Sequence, residues 1–318
     1  MKQRFIIGTR GSDLALRQAR MVGERLTDTF PDRSFEIKII RTTGDQVQET
    51  ALSKVGDKGL FTRQIETELE DGEIDFAVHS LKDLQTEQPA GLIIGAVCER
   101  ELPNDILISP NYESIDSLPM RARVATGSLR RRSQLLNLRP DLDIVEIRGN
   151  VPTRIEKAMS FGLDGLVLAY AGVARLGLTE RFNHYVIPTR LMVPAVGQGA
   201  IAVEIRADDD GAVEMTANLN HQETTICATA ERAFLRRLEG GCQVPIGALA
   251  TVDGEDVELN GFVGSLDGRT VFRDTARGAS NRADNLGTEL AERLIRNGAA
   301  QLLSESRAEA GGSVGMVL

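Results

Sequence analysis

The sequence contains no tryptophan, and aromatic residues make up only 4% of its 318 positions. Three cysteines, Cys98, Cys227 and Cys242, form no closely spaced pair, which argues against a disulfide framework or a zinc site. His79, His184 and His221 are the only histidines, so a histidine-rich metal site is disfavoured and no metal is expected. No stretch approaches the roughly 18 apolar residues that a membrane span needs. The apolar run FIIG near the start is too short for the core of a secretory signal. A cytoplasmic protein without a membrane partner is the expectation. A net charge of -9 argues against nonspecific binding to nucleic acid.

What is present is enough apolar material for real cores, 42% of residues, in a chain long enough for two or three domains. Of the 37 basic residues six are lysines, so the remaining 31 are arginines. Arginine suits bidentate capture of carboxylates and phosphates. An arginine-rich genome would produce the same total, so position rather than number must carry the argument.

A unit of strand, Thr/Gly/Ser turn and helix occurs twice. RFIIG leads into Thr9-Arg10-Gly11-Ser12 and a helical pattern, and RVA leads into Thr126-Gly127-Ser128 and a second one. Ser12 and Ser128 are candidate N-caps, and the helix starts they mark are candidate anion sites, although capping alone explains each serine by itself. IDFAVHS (74–80), DIVEI (143–147) and GLVLA (165–169) read as buried strands. Pro152 stands in the first turn of a helix, where its missing N–H costs nothing. Strands alternating with helices predict parallel sheets covered on both faces, with ligands beyond the carboxyl ends of the strands. Arg10, Lys82, Asp83, Arg130, Arg131, Arg148, Arg154 and Arg175 all fall at or just after such ends. A small molecule carrying several carboxylates fits that edge.

The boundaries follow from the punctuation. CERELPNDIL (98–107) and IPTRLMVPAVGQGAIAVEI (187–205) read as two crossings between two doubly wound α/β lobes of the periplasmic-binding-protein kind, joined by a hinge. The first lobe would comprise residues 1–99 and 198–217, and the second 104–193. From 220 to 318 the pattern becomes a helix (224–238), three strand-like runs (246–252, 256–263, 269–276) and a helix (284–296), a smaller α+β domain that carries Cys242.

Eight stretches now carry a resemblance: TRGSDLALRQA (9–19), KVGDKGLF (54–61), VHSLKD (78–83), ATGSLRRRSQL (125–135), IRGNVPTR (147–154), LAYAGVARLG (168–177), VPAVGQGA (193–200) and EGGCQVPIG (239–247). Together they make the chain resemble the porphobilinogen deaminase, or hydroxymethylbilane synthase, family from end to end. The resemblance implies a transferase that condenses four porphobilinogen molecules head to tail and releases ammonia and hydroxymethylbilane. It also implies a dipyrromethane cofactor joined to Cys242 through a thioether, with Asp83 as the catalytic carboxylate. Chemistry makes the thiol intelligible, since porphobilinogen that has lost ammonia is a soft electrophile for sulfur.

Each pyrrole brings an acetate and a propionate. The resemblance assigns the cofactor's carboxylates to Ser80, Lys82, Thr126, Ser128, Arg130, Arg131, Arg148 and Arg154. The incoming substrate falls to Arg10, Ser12, Gln18 and Arg175, and Lys58 and Phe61 belong to a segment over the cleft. A monomer is implied. One departure stands out: the family commonly has a proline shortly after the aspartate, where this chain has Leu84-Gln85. Two other readings share some of these features. A solute-binding protein would share the two lobes but would need no thiol in a third domain. A cysteine hydrolase would need a base beside Cys242, and no histidine has a motif linking it there.

Overall fold

The computed structural model describes residues 2–42, 62–239 and 244–310. The chain opens with β1 (Arg4–Thr9), α1 (Asp13–Thr29), β2 (Ser34–Ile39), α2 (Arg63–Glu70), β3 (Phe76–Ser80) and β4 (Leu92–Val97). It continues through β5 (Asp105–Ile108), β6 (Arg123–Ala125), α3 (Leu129–Leu138), β7 (Asp143–Val145), α4 (Val151–Ser160), β8 (Gly165–Ala169), α5 (Tyr170–Arg175) and β9 (His184–Val186). Then come β10 (Ile201–Arg206), α6 (Asp210–Ala217), α7 (Gln222–Arg237), three strands β11 (Ile246–Asp253), β12 (Asp256–Gly264) and β13 (Val271–Ala279), and two helices α8 (Ala283–Leu294) and α9 (Ala300–Ala310).

Local signals fix the helix starts. The Ser12 hydroxyl accepts from the Ala15 N–H and that of Ser128 from the Arg131 N–H, so both serines cap as their positions suggest. Asn150 caps α4 from 2.9 Å with Pro152 in the first turn. Along α1, Gln18, Ala19, Val22 and Leu26 form the buried stripe that the helical period requires.

Two five-stranded sheets result, ordered β2-β1-β3-β10-β4 and β7-β6-β8-β5-β9. They are mixed rather than parallel. In the first, β10 runs antiparallel to both β3 and β4; in the second, β5 runs antiparallel to β8 and β9. The reason lies in the crossings: β5 is laid down as the chain leaves the first sheet and β10 as it returns. A strand arriving from the other lobe enters from the opposite end. Such alternation of direction is invisible to periodicity, because a buried strand reads alike in either sense. The strand expected over 143–147 stops at Val145, and the one expected over 269–276 is shifted to Val271–Ala279.

The crossings touch one another and the remaining domain. Gly199, at φ +92°, lies where a Cβ would stand 2.3 Å from the Glu101 carbonyl oxygen, so only glycine lets the two crossings pass. The fully buried Glu231 of α7 ties them down. It accepts from Arg100 at 2.6 and 3.2 Å, from the Gly197 N–H at 2.7 Å and from the Ala250 N–H at 2.9 Å. Around it, Phe234, Leu286, Leu290 and Leu294 pack against the antiparallel sheet β11-β12-β13 to make the core of the last domain. Each such side chain contributes about 1.5–3 kcal/mol by leaving water.

Candidate active site

The carboxyl ends of β1 and β3 meet above α1. There an open pocket is lined by Arg10, Ser12, Gln18, Ser80 and Asp83, five residues singled out from the sequence, together with Thr62 and His79. Gln18 is buried and locked to Ser80: its Nε2 donates to the Ser80 hydroxyl at 2.9 Å, with a second contact between that hydroxyl and Oε1 at 3.2 Å. Asp83 closes a single helical turn, Leu81–Asp83, that follows β3 directly. Leu81 anchors the turn in the core, pressed against Gly197, while the Asp83 side chain stays exposed to the cleft.

The segment after Asp83 has its own support. The Gln85 carbonyl accepts from Arg232 Nη2 at 2.6 Å and from Gln88 Nε2 at 2.9 Å, while Leu84 is extended at φ −76° and ψ 142°. Hydrogen bonds thus hold the backbone where a proline would fix φ by its ring.

On the facing side lies a cluster of cations with too few partners. Arg130 and Arg131 both reach Asp105, which is fully buried, at 2.7 and 2.8 Å, and Gln198 Nε2 adds a bond at 2.9 Å. Burial works to raise the Asp105 carboxyl, but the two guanidinium groups outweigh it and hold it well below the usual carboxylate range. Asp105 carried no signal in the sequence. A single aspartate at the head of a strand is common, and only the fold puts both arginines on it. Part of the bonding capacity of Arg130 and Arg131 is therefore spent inside the protein, the first also on the Val193 carbonyl and the second on that of Val167.

Positive charge remains in excess. Burial, with Arg131 and Arg130 nearby, brings Lys82 down to about 8 against the pull of Asp83 and Asp105. Arg154 falls to about 10 through burial and through repulsion from Arg131 and Arg148, which Asp83 partly offsets. Among the described residues Arg154 has no ion pair, and its Nε makes only a long 3.4 Å bond to the Asn150 carbonyl. Arg148 is paired with Glu146 at 2.6 Å. Mutually repelling cations kept together at a cleft are what an anionic guest stabilises.

Other expected residues sit differently. Thr126 accepts from the Ser128 N–H at 3.3 Å, so both belong to the start of α3. Arg175 donates to the Gly199 carbonyl at 2.6 Å and thus lies on the crossing, with its Nε unpartnered. Lys58, Phe61 and Cys242 lie outside the described residues. The flanks of the cysteine segment are in place: a Cβ on Gly247 would lie 2.8 Å from the carbonyl oxygens of Val193 and Pro194 and 3.2 Å from Arg130 Cδ. Cys98 and Cys227 are buried, and burial raises both thiols, Cys227 to about 11. They are packed as inert thiols.

Comparison with known proteins decides the family. A family model described as "Porphobilinogen deaminase, dipyromethane cofactor binding domain" matches residues 5–214, and a second, "Porphobilinogen deaminase, C-terminal domain", matches residues 225–296. The chain belongs to the porphobilinogen deaminase family. Porphobilinogen deaminase of Syntrophomonas wolfei is 50% identical over 95% of this chain and 98% of its own length. That of Pelotomaculum thermopropionicum is 49% identical over 97% and 99%, and that of Desulforudis audaxviator 50% over 98% and 100%. Among solved structures, a methionine-binding protein is matched with a TM-score of 0.44 at 14% identity, over 70% of this chain and 92% of that one.

As a porphobilinogen deaminase, the chain is a transferase of tetrapyrrole synthesis that condenses four porphobilinogen molecules into hydroxymethylbilane on a dipyrromethane cofactor. No helix among the described residues is long and apolar enough to cross a membrane.

Proposed function

We propose that Asp83 is the carboxylate that serves each coupling, that Cys242 carries the dipyrromethane through a thioether, and that the cationic cleft grips the carboxylates of the growing chain. The enzyme would act as a monomer in the cytoplasm. The observation that carries this reading is the placement of Asp83 alone between two sets of groups. On one side is the Arg10–Ser12–Gln18–Ser80 pocket, and on the other the cations Lys82, Arg131, Arg148 and Arg154, whose charge Asp105 and Glu146 balance only in part.

The residues fit the cofactor. Two pyrrole units bring four carboxylates, and the cluster offers cations whose charge Asp105 only partly balances. Lys82, Arg130, Arg131, Arg148 and Arg154 would hold it, with Ser80, Thr126 and Ser128 donating from the two helix starts. When bound, the dipyrromethane supplies the primer from which the chain grows. Arg10, Ser12, Gln18 and Arg175 would orient the incoming porphobilinogen, with Lys58 and Phe61 over the cleft. The Asp83 carboxylate would stabilise positive charge on the pyrrole nitrogen and accept a proton at its oxygen.

The deciding experiment is the intact mass of the denatured protein from cells able to make porphobilinogen. The expected result is an excess of two deaminated porphobilinogen units that disappears in Cys242→Ser. A bare mass, unchanged after incubation with porphobilinogen, would overturn the assignment of Cys242.

A further inference from the structure

His79 lines the Asp83 pocket, yet its other side faces a buried acid. Its Nε2 stands 3.4 Å from Glu204 Oε2, and neither that nitrogen nor either Glu204 oxygen has a hydrogen-bond partner. Glu204 is fully buried and His79 is 6% exposed. The two belong to neighbouring antiparallel strands, His79 opposite Ala202 and Glu204 opposite Ala77, which puts both side chains on one face of the sheet.

Helix α2 covers that face and adds a second acid, Glu66, 5% exposed. Burial pushes the Glu66 carboxyl up, Glu204 adds to the rise, and Thr62 and His79 oppose it. Glu70 of α2 also raises Glu66, and Arg232 of α7 is within electrostatic reach of Glu204. A carboxylate with no donor is among the costliest groups to bury, and the His79 ring nitrogen 3.4 Å away is placed to supply one. Imidazolium with carboxylate and imidazole with carboxylic acid differ only by one proton moved across a short gap.

We propose that His79 and Glu204 hold one exchangeable proton at the wall of the pocket, and that this pair receives the proton set free when two pyrroles are joined. The proposal rests on the assignment of Asp83 above. In that step the C–H bond of the newly joined ring carbon breaks and its electrons restore the aromatic ring. The proton goes to the Asp83 carboxylate, then to the imidazole, and finally to the ammonia already expelled, which leaves as ammonium. Nothing is oxidised or reduced.

With three histidines in the chain, the ring ¹⁵N spectrum can follow His79 against pH in the whole protein without substrate. In Glu204→Gln the His79 titration midpoint should fall by about one pH unit or more, because a neighbouring anion has been removed. Turnover in His79→Ala and Glu204→Gln should drop about tenfold to a hundredfold, with the melting temperature and cofactor mass of the parent, and added imidazole should restore part of the rate in His79→Ala. A midpoint unmoved by Glu204→Gln, or turnover within about twofold of the parent in both variants, overturns the proposal. If His79→Ala does not fold, the Glu204→Gln spectrum decides. Full turnover in Asp83→Asn would instead remove the assignment on which the proposal stands.

Discussion

At the scale of single residues, charge placement governs what the cleft can do. Asp83→Asn keeps the shape of the turn but removes the negative charge, so product formation should fall by about a hundredfold to a thousandfold. The intact mass should still show the cofactor. Lys82 offers a test by pH. Held at about 8, it loses its charge as pH rises through that value, well below the ordinary lysine range. Its hold on the cofactor's carboxylates should therefore weaken between pH 7 and about 9, and Lys82→Arg should flatten that dependence in a pH series of turnover. The stability sign runs the other way. Between about 8 and 10.5 the unfolded chain binds the proton that folded Lys82 has lost, so this residue favours folding more as pH climbs through that window.

Strand ends and helix caps are marked in the chain, which is why Arg10 and Asp83 could be placed beside strand ends and Ser12 and Ser128 at helix starts, while their roles came from the family resemblance. Asp105 and His79 were not so marked, since their importance comes from partners 25 and 125 positions away that only the folded sheet supplies.

At the scale of elements, the last domain depends on a close helix crossing. Gly287 of α8 faces α7 so tightly that a Cβ would lie 2.2 Å from the Ala230 carbonyl oxygen and 2.8 Å from the Phe234 nitrogen. Both are backbone atoms and cannot swing aside. Gly287→Ala should cost about 1–3 kcal/mol through overpacking, in spite of the better helix propensity of alanine, and lower the thermal midpoint. Elements themselves were readable to within a few residues: α7 begins at Gln222 rather than 224, and α8 ends at Leu294 rather than 296. Serine and asparagine caps announce a start, and α8 has no side-chain cap to announce one. Strand direction was not readable, because β5 and β10 owe their sense to the crossings and to nothing in their own apolar runs.

At the scale of the whole molecule, Glu231 joins three parts of the chain through four hydrogen bonds. Glu231→Ala would leave the Arg100 guanidinium, whose side chain is 12% exposed, without its carboxylate. A loss of about 3–5 kcal/mol is expected, read as a lower denaturant midpoint.

The late arrival of β10 in the first sheet has a temporal side. The strand that fills the gap between β3 and β4 is residues 201–206, whereas every strand of the second sheet lies within residues 105–186. A chain leaving the ribosome from its N-terminus would thus have every strand of its second sheet in hand while the first still lacked an inner strand. The part made earliest is completed late, and until then the open edges of β3 and β4 are the surfaces that a nascent chain has to keep from pairing wrongly.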